Sequence, residues 1–180
     1  MRLFFAALPE FDTRQKLESV AAALRLPKEA RRIPAQSLHM TLAFAGEVSN
    51  VQGAALRAVG AALRSPAFDV CLNLQEYWQK SETVVVSAGD EPPALRALHQ
   101  RLRTELDHLE FAADPMPFRA HVTIARRVAQ APVLEQRSGT CWRVRAFHLV
   151  HSAKSAEGSV YTVVDTWPLL DDEPRVEEIS

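Results

Sequence analysis

His39-Met40-Thr41-Leu42-Ala43 and His121-Val122-Thr123-Ile124-Ala125 are two copies of one pattern: His, apolar, Thr, apolar, Ala. They lie 82 positions apart (121 minus 39). Each falls in a short, mostly apolar run of strand length. Side chains on a strand alternate faces, so each copy sets an imidazole and a hydroxyl on one face and two apolar residues on the other. Two such strands side by side line a cleft with two histidines and two threonines. An internal repeat of this kind predicts two similar lobes, each presenting one copy.

The flanking chain fits that frame. Leu3–Leu8 reads as a buried strand, and Asp12-Thr13 as the cap of a helix with Leu17, Val20, Ala21 and Leu24 at helical spacing. The first motif strand runs from Leu38 to Ala45 and stops at Gly46; Ser49 or Asn50 caps a second helix to about Leu63. Phe68–Leu74 and Glu82–Ala88 form a hairpin over Trp78–Ser81. Pro92-Pro93 opens a third helix whose stripe is Leu95, Leu98, Leu102 and Leu106. Arg119–Arg126, Trp142–Ser152 and Ser159–Thr166 complete about seven strands, with Glu157-Gly158 as a turn. The fold class is α+β, a single bilobal domain over residues 1–170, followed by an acidic and flexible tail at 171–180.

Composition narrows the function. The chain has 180 residues, 47% apolar and 24% charged, which suits a globular domain and rules out wholesale disorder. No stretch of about 18 apolar residues occurs, so no spanning helix is expected. Lys plus Arg is 21 and Asp plus Glu is 22, a net charge of −1, so any contact with nucleic acid is local rather than a broad basic face. Cys71 and Cys141 form no C-x-x-C, and the apolar start is too short for a signal peptide. The expectation is a cytoplasmic protein with reduced thiols.

Imidazole titrates near pH 6.5, so one histidine of a facing pair takes a proton while the other gives one. Threonine hydroxyls donate to phosphate oxygens without adding charge. Phosphodiester cleavage by acid–base catalysis needs this set and no cofactor. Two histidines also begin a zinc site, but zinc needs a third ligand and neither strand supplies one on the same face, so no metal is expected.

With these residues in view, the sequence resembles the two-histidine phosphoesterases, and within them the RNA 2′,3′-cyclic phosphodiesterases, historically described as 2′-5′ RNA ligases. The resemblance runs from Arg2-Leu3-Phe4-Phe5-Ala6 through Leu38–Phe44 and Gly46-Glu47-Val48 to Phe118, His121–Arg126, Phe147, Leu149, Ser152, Tyr161 and Trp167-Pro168-Leu169. It implies a pseudo-twofold fold with a cleft between two antiparallel sheets and helices outside. It implies hydrolysis of RNA 2′,3′-cyclic phosphate ends to a 2′-phosphomonoester, with His39 as proton donor to the leaving oxygen and His121 as proton acceptor. Thr41 and Thr123 would hold the phosphate. The implied partners are RNA ends or nucleotides bearing a 2′,3′-cyclic phosphate, including tRNA halves, met by a monomer away from membranes. The motif's symmetry alone does not assign acid and base. Where the family commonly has Pro before the second motif histidine, this chain has Ala120, and Ala45 stands where Leu is frequent.

Other readings stay open beside this one: 2′-5′ ligation of tRNA halves, a small-molecule cyclic phosphodiesterase, or a module that binds RNA ends without turnover. Arg126 and Phe44 each follow their motif histidine by five, an odd offset that puts them on the far face of a regular strand. A cleft role for Arg126 therefore needs a bulge, a twist or a strand end, and core packing is the favoured reading of Phe44, with base stacking as the alternative. Tyr77 and Trp78 are read as loop aromatics able to stack a base. His99 and His108 are read as helix-surface residues, and His148 and His151 as structural.

Overall fold

The computed structural model describes residues 1–112, 116–134, 139–155 and 158–171. Within them the chain runs β1 (Arg2–Ala7), α1 (Phe11–Ala23), β2 (Arg31–Arg32), β3 (Met40–Glu47), α2 (Asn50–Ala62), β4 (Phe68–Trp78) and β5 (Thr83–Ala88). It continues through α3 (Pro93–His108), β6 (His121–Arg126), β7 (Thr140–Val144), β8 (Ala146–Ser155) and β9 (Gly158–Pro168). Two antiparallel sheets result, in the orders β3-β1-β8-β9 and β2-β6-β5-β4-β7. Each motif strand belongs to a different sheet, as the repeat predicts.

The helices form where the sequence signals them, with one shift. Ser49 and Gln52 cap α2 reciprocally: the Gln52 amide donates to Ser49 Oγ at 3.2 Å and the Ser49 amide to Gln52 Oε1 at 2.9 Å. Pro93 opens α3, and its leucine stripe is wholly buried. Helix α1 begins at Phe11 rather than after Asp12-Thr13, because the Arg14 amide already donates to Glu10 O at 2.9 Å and Thr13 turns inward. Its last turn is closed by Arg32, whose guanidinium donates to Ala21 O at 2.7 Å and Leu24 O at 2.6 Å. In α2, Gly60 lies on the Trp167 ring, where a Cβ would come within 2.4 Å of the indole. The close approach seats the helix on an aromatic cluster of Phe5, Phe147 and Trp167.

Among the described residues nine strands appear where the pattern predicts about seven. β2 is two exposed arginines, with no apolar alternation to reveal it. The expected strand Trp142–Ser152 divides at Arg145: β7 closes one sheet and β8 continues the other, so the chain crosses between lobes there. The hairpin turn at Gln79–Ser81 falls where expected, but Tyr77 and Trp78 belong to β4 rather than to a loop. Asp171 pairs with Arg143 at 3.5 Å; the rest of the acidic stretch, and Glu157 of the last turn, lie outside the described residues.

The expectation of reduced thiols is corrected. Cys71 and Cys141 form a disulfide across β4 and β7, with sulfurs 2.00 Å apart. The two residues stand directly opposite in the antiparallel register, 3.9 Å between Cα atoms. Their separation of 70 in sequence hides the pairing. Among the described residues no helix is long and apolar enough to cross a membrane.

Candidate active site

Alternation in the motif strands falls as the sequence predicts. Met40, Leu42, Val122 and Ile124 are buried in the core, while His39, Thr41, His121 and Thr123 are half-buried and line one cleft of about 180 Å³ between the sheets. His39 sits one residue ahead of β3, and His121 opens β6. A larger groove of about 380 Å³ between α2 and α3, with Val59, Ala97 and Thr104 among its walls, includes neither motif.

The two histidines are held in the same way. His39 Nδ1 lies 2.7 Å from Ser37 O, and His121 Nδ1 lies 2.7 Å from Arg119 O, each carbonyl two residues back. A carbonyl only accepts, so Nδ1 carries the hydrogen in both rings. Nε2 is then the free nitrogen of each neutral imidazole, a base until it is protonated and an acid afterwards.

Each motif strand also carries a bulge at the same place. Thr41 pairs with Ala6, but Ala43 pairs with Phe5 and Phe44 with Phe4, so one step of β1 spans two of β3. In the second motif Thr123 pairs with Val85 and Ala125 with Val84. An extra residue reverses the alternation beyond it. The side chain five after each histidine therefore returns to the cleft: Phe44 in one lobe, Arg126 in the other. The core reading of Phe44 is corrected, and it is 39% exposed. Ala45, by contrast, packs against the core.

The walls differ around this shared frame. His39 lies against Phe4, with ring centroids 5.1 Å apart, and meets Tyr161 edge-on at 4.7 Å. His121 lies against Trp78 at 4.4 Å. Arg119 sits 5.7 Å over the indole of Trp78 and makes a two-pronged ion pair with Glu76 at 2.9 and 3.0 Å. Ser87 Oγ donates to the same carboxylate at 2.7 Å. Trp78 was legible as an aromatic near the site and Tyr161 as one of the residues of the resemblance; Glu76 and Arg119 carried no motif signal. The amide of Ala120 donates to Glu91 Oε1 at 2.6 Å, a bond that the family's usual proline lacks the hydrogen to make.

Burial pushes both motif imidazoles below their ordinary value. For His39 the bond to Ser37 O opposes this, while the charges of Arg126 and His121 add to it. For His121 the bond to Arg119 O opposes it, the Arg119 and Arg126 charges add, and the Glu76 carboxylate opposes. Arg2 and Arg126 bring positive charge from opposite sheets, and among the described residues no Asp or Glu lines the cleft. The cleft is thus cationic in a chain of net charge −1. No three His, Cys, Asp or Glu among the described residues gather as metal ligands would. His148 bonds Thr166 Oγ1 at 2.9 Å.

This chain is similar to proteins of known class. The RNA 2′,3′-cyclic phosphodiesterase of Escherichia coli K12 is 29% identical over 170 residues, spanning 93% of this chain and 96% of that protein. The RNA 2′,3′-cyclic phosphodiesterase of Thermus thermophilus is 32% identical over 186 residues, spanning 97% of this chain and 93% of that protein. The crystal structure of E. coli LigT complexed with 3′-AMP matches with a TM-score of 0.87 at 28% identity, over 93% of this chain and 97% of that one. A family model described as the 2′-5′ RNA ligase superfamily matches residues 11–156. The chain belongs to the 2′-5′ RNA ligase superfamily.

Proposed function

We propose that this protein is an RNA 2′,3′-cyclic phosphodiesterase that opens the cyclic phosphate at RNA ends by proton transfer between two histidines. The observation that carries the reading is the pair of imidazoles with Nδ1 fixed and Nε2 free in one cationic cleft. The names of the E. coli and T. thermophilus relatives support the substrate class. The 3′-AMP bound by E. coli LigT supports a nucleotide-sized ligand.

In the proposed reaction, His121 Nε2 takes a proton from water and the resulting hydroxide attacks phosphorus. The P–O3′ bond breaks, and His39 Nε2–H gives its proton to the departing O3′. The product is a 2′-phosphomonoester with a free 3′-hydroxyl. His121 ends protonated and His39 neutral, and exchange with solvent resets both. Thr41 and Thr123 donate to the non-bridging oxygens, and Arg126 offsets the charge that builds on them. Phe44 offers a face on which a base stacks. No step calls for a metal or a cofactor.

In a second reading the 5′-hydroxyl of another RNA, as in tRNA halves, takes the place of water. His121 Nε2 removes its proton, O5′ attacks phosphorus, the P–O3′ bond breaks with a proton from His39, and a 2′-5′ linkage joins the two RNAs; the superfamily's name is the observation that favours it. Both readings face one experiment. Purified protein is incubated in EDTA with a 2′,3′-cyclic nucleotide and with a short RNA bearing a cyclic end, and phosphorus NMR reads the product. A 2′-phosphate is expected. No turnover of either substrate overturns the proposal, and activity only on adding metal overturns its chemistry.

A further inference from the structure

The two bulge carbonyls, Leu42 O and Ile124 O, are equivalent in the repeat (124 minus 42 is again 82), yet they are satisfied by different groups. Ile124 O accepts from the Ile33 amide at 2.9 Å, just beyond β2, the fifth strand of its sheet. The other sheet has four strands, with β3 at its edge. There, Leu42 O lies 2.7 Å from His99 Nδ1, on α3. The carbonyl only accepts, so the imidazole donates. The His99 ring is half-buried and stacked on Phe118, with centroids 4.1 Å apart and 16° between planes. Phe118 lies three residues before His121. One helix side chain therefore touches the bulge of the first motif and the approach to the second, and the reading of His99 as a surface residue is corrected.

We infer that His99 is a positioning residue: its bond to Leu42 O holds the β3 bulge that turns Phe44 into the cleft. It does for the first motif strand what the chain at β2 does for the second. A bulge interrupts the ladder of backbone bonds, and a buried carbonyl left without a donor favours a different local register. Losing the His99 donor releases β3 toward regular alternation, which carries Phe44 out of the cleft. The consequence for turnover rests on the phosphodiesterase reading, whereas the bond and its effect on the strand do not.

Two substitutions separate the donor from the stack. His99→Phe keeps an aromatic ring on Phe118 and removes the donor. His99→Asn keeps an N–H the same number of bonds from the backbone and removes the stack. Turnover of a 2′,3′-cyclic nucleotide and amide hydrogen exchange are measured for both. His99→Phe is expected to lower kcat/KM about tenfold or more, as misplaced substrate-positioning groups do. It is also expected to speed exchange in β3 while leaving β6 at wild-type protection. His99→Asn is expected to stay within about threefold of wild type, because the bond survives. Wild-type exchange across residues 40–47 in His99→Phe overturns the inference, as does an equal rise in β3 and β6. Failure of Asn to rescue assigns the role to the stack and overturns it too. If the wild-type protein turns over no cyclic phosphate, the functional reading fails, and the exchange comparison still decides the role of His99.

Discussion

His39 sits among aromatic rings, Phe4 and Tyr161, with no carboxylate among the described residues contributing to its environment. His121 sits on Trp78 beside an ion pair of Glu76 and Arg119. The backbone around the two is nearly the same: one bond from Nδ1 to a carbonyl two residues back, one threonine two residues on, and a bulge just after that threonine. The repeat thus gives two imidazoles of like geometry, the proton carriers of the proposed mechanism, and their neighbours make them different. A difference between the two tunes how often one is protonated while the other is bare, and the proposed roles use the state with His39 protonated and His121 neutral. In the proposed mechanism the duplicated part of the molecule holds the reacting groups, and the unduplicated part distinguishes them.

The largest expected effects test the shared part. His39→Ala and His121→Ala each lower kcat by about 10²–10⁴-fold, the range of one acid–base group. The double variant is little worse than either single one, because a proton relay fails as a unit. Steady-state rates on a cyclic nucleotide check this, and full activity in either single variant breaks the equivalence of the two walls. A step lower are Thr41→Val and Thr123→Val. Each removes a hydroxyl that the proposed mechanism sets against a charged phosphate, a bond worth about 1.5–3 kcal/mol, or about 10–100-fold in kcat/KM. If the repeat governs phosphate binding, the two losses match; a loss confined to one wall shows that the phosphate leans on that wall alone.

Much of this frame was legible in the sequence because strand alternation is a local property. His-x-Thr with apolar partners places four side chains on a face whatever the rest of the chain does, and the structure puts all four in one cleft. Phe44 escaped because alternation assumes an unbroken period, and a bulge is invisible until two strands are paired. The disulfide escaped for the same reason: only the register of β4 on β7 sets Cys71 opposite Cys141. His99 reads as a surface residue because the leucine stripe alone defines the third helix in the sequence, and a polar bond from an adjacent face has no periodic signature. β2 and the crossing at Arg145 likewise depend on which sheet each segment joins. Sequence periodicity reports faces, and partners across space decide which face becomes a site.

The smallest expected effect is the most direct test of the difference between the walls. Burial holds both imidazoles below their ordinary value of about 6.5. Whichever of them acts as acid then loses its proton as pH rises through its lowered pKa, so kcat/KM is already falling at about pH 6.5 and the fall approaches tenfold per unit beyond it. Glu76 acts on His121 and opposes the fall in its pKa, whereas Arg126 deepens the fall in both. Glu76→Gln removes a nearby negative charge and leaves Arg119 without its partner, so His121 becomes harder to protonate. Mainly one limb of the pH profile then moves, toward lower pH. Arg126→Ala removes a positive charge felt by both rings, so both limbs move toward higher pH. The pH dependence of kcat/KM for the two variants beside wild type checks this. Equal movement of both limbs in Glu76→Gln means that the carboxylate acts on the cleft as a whole, and the two histidines then differ by position rather than by environment.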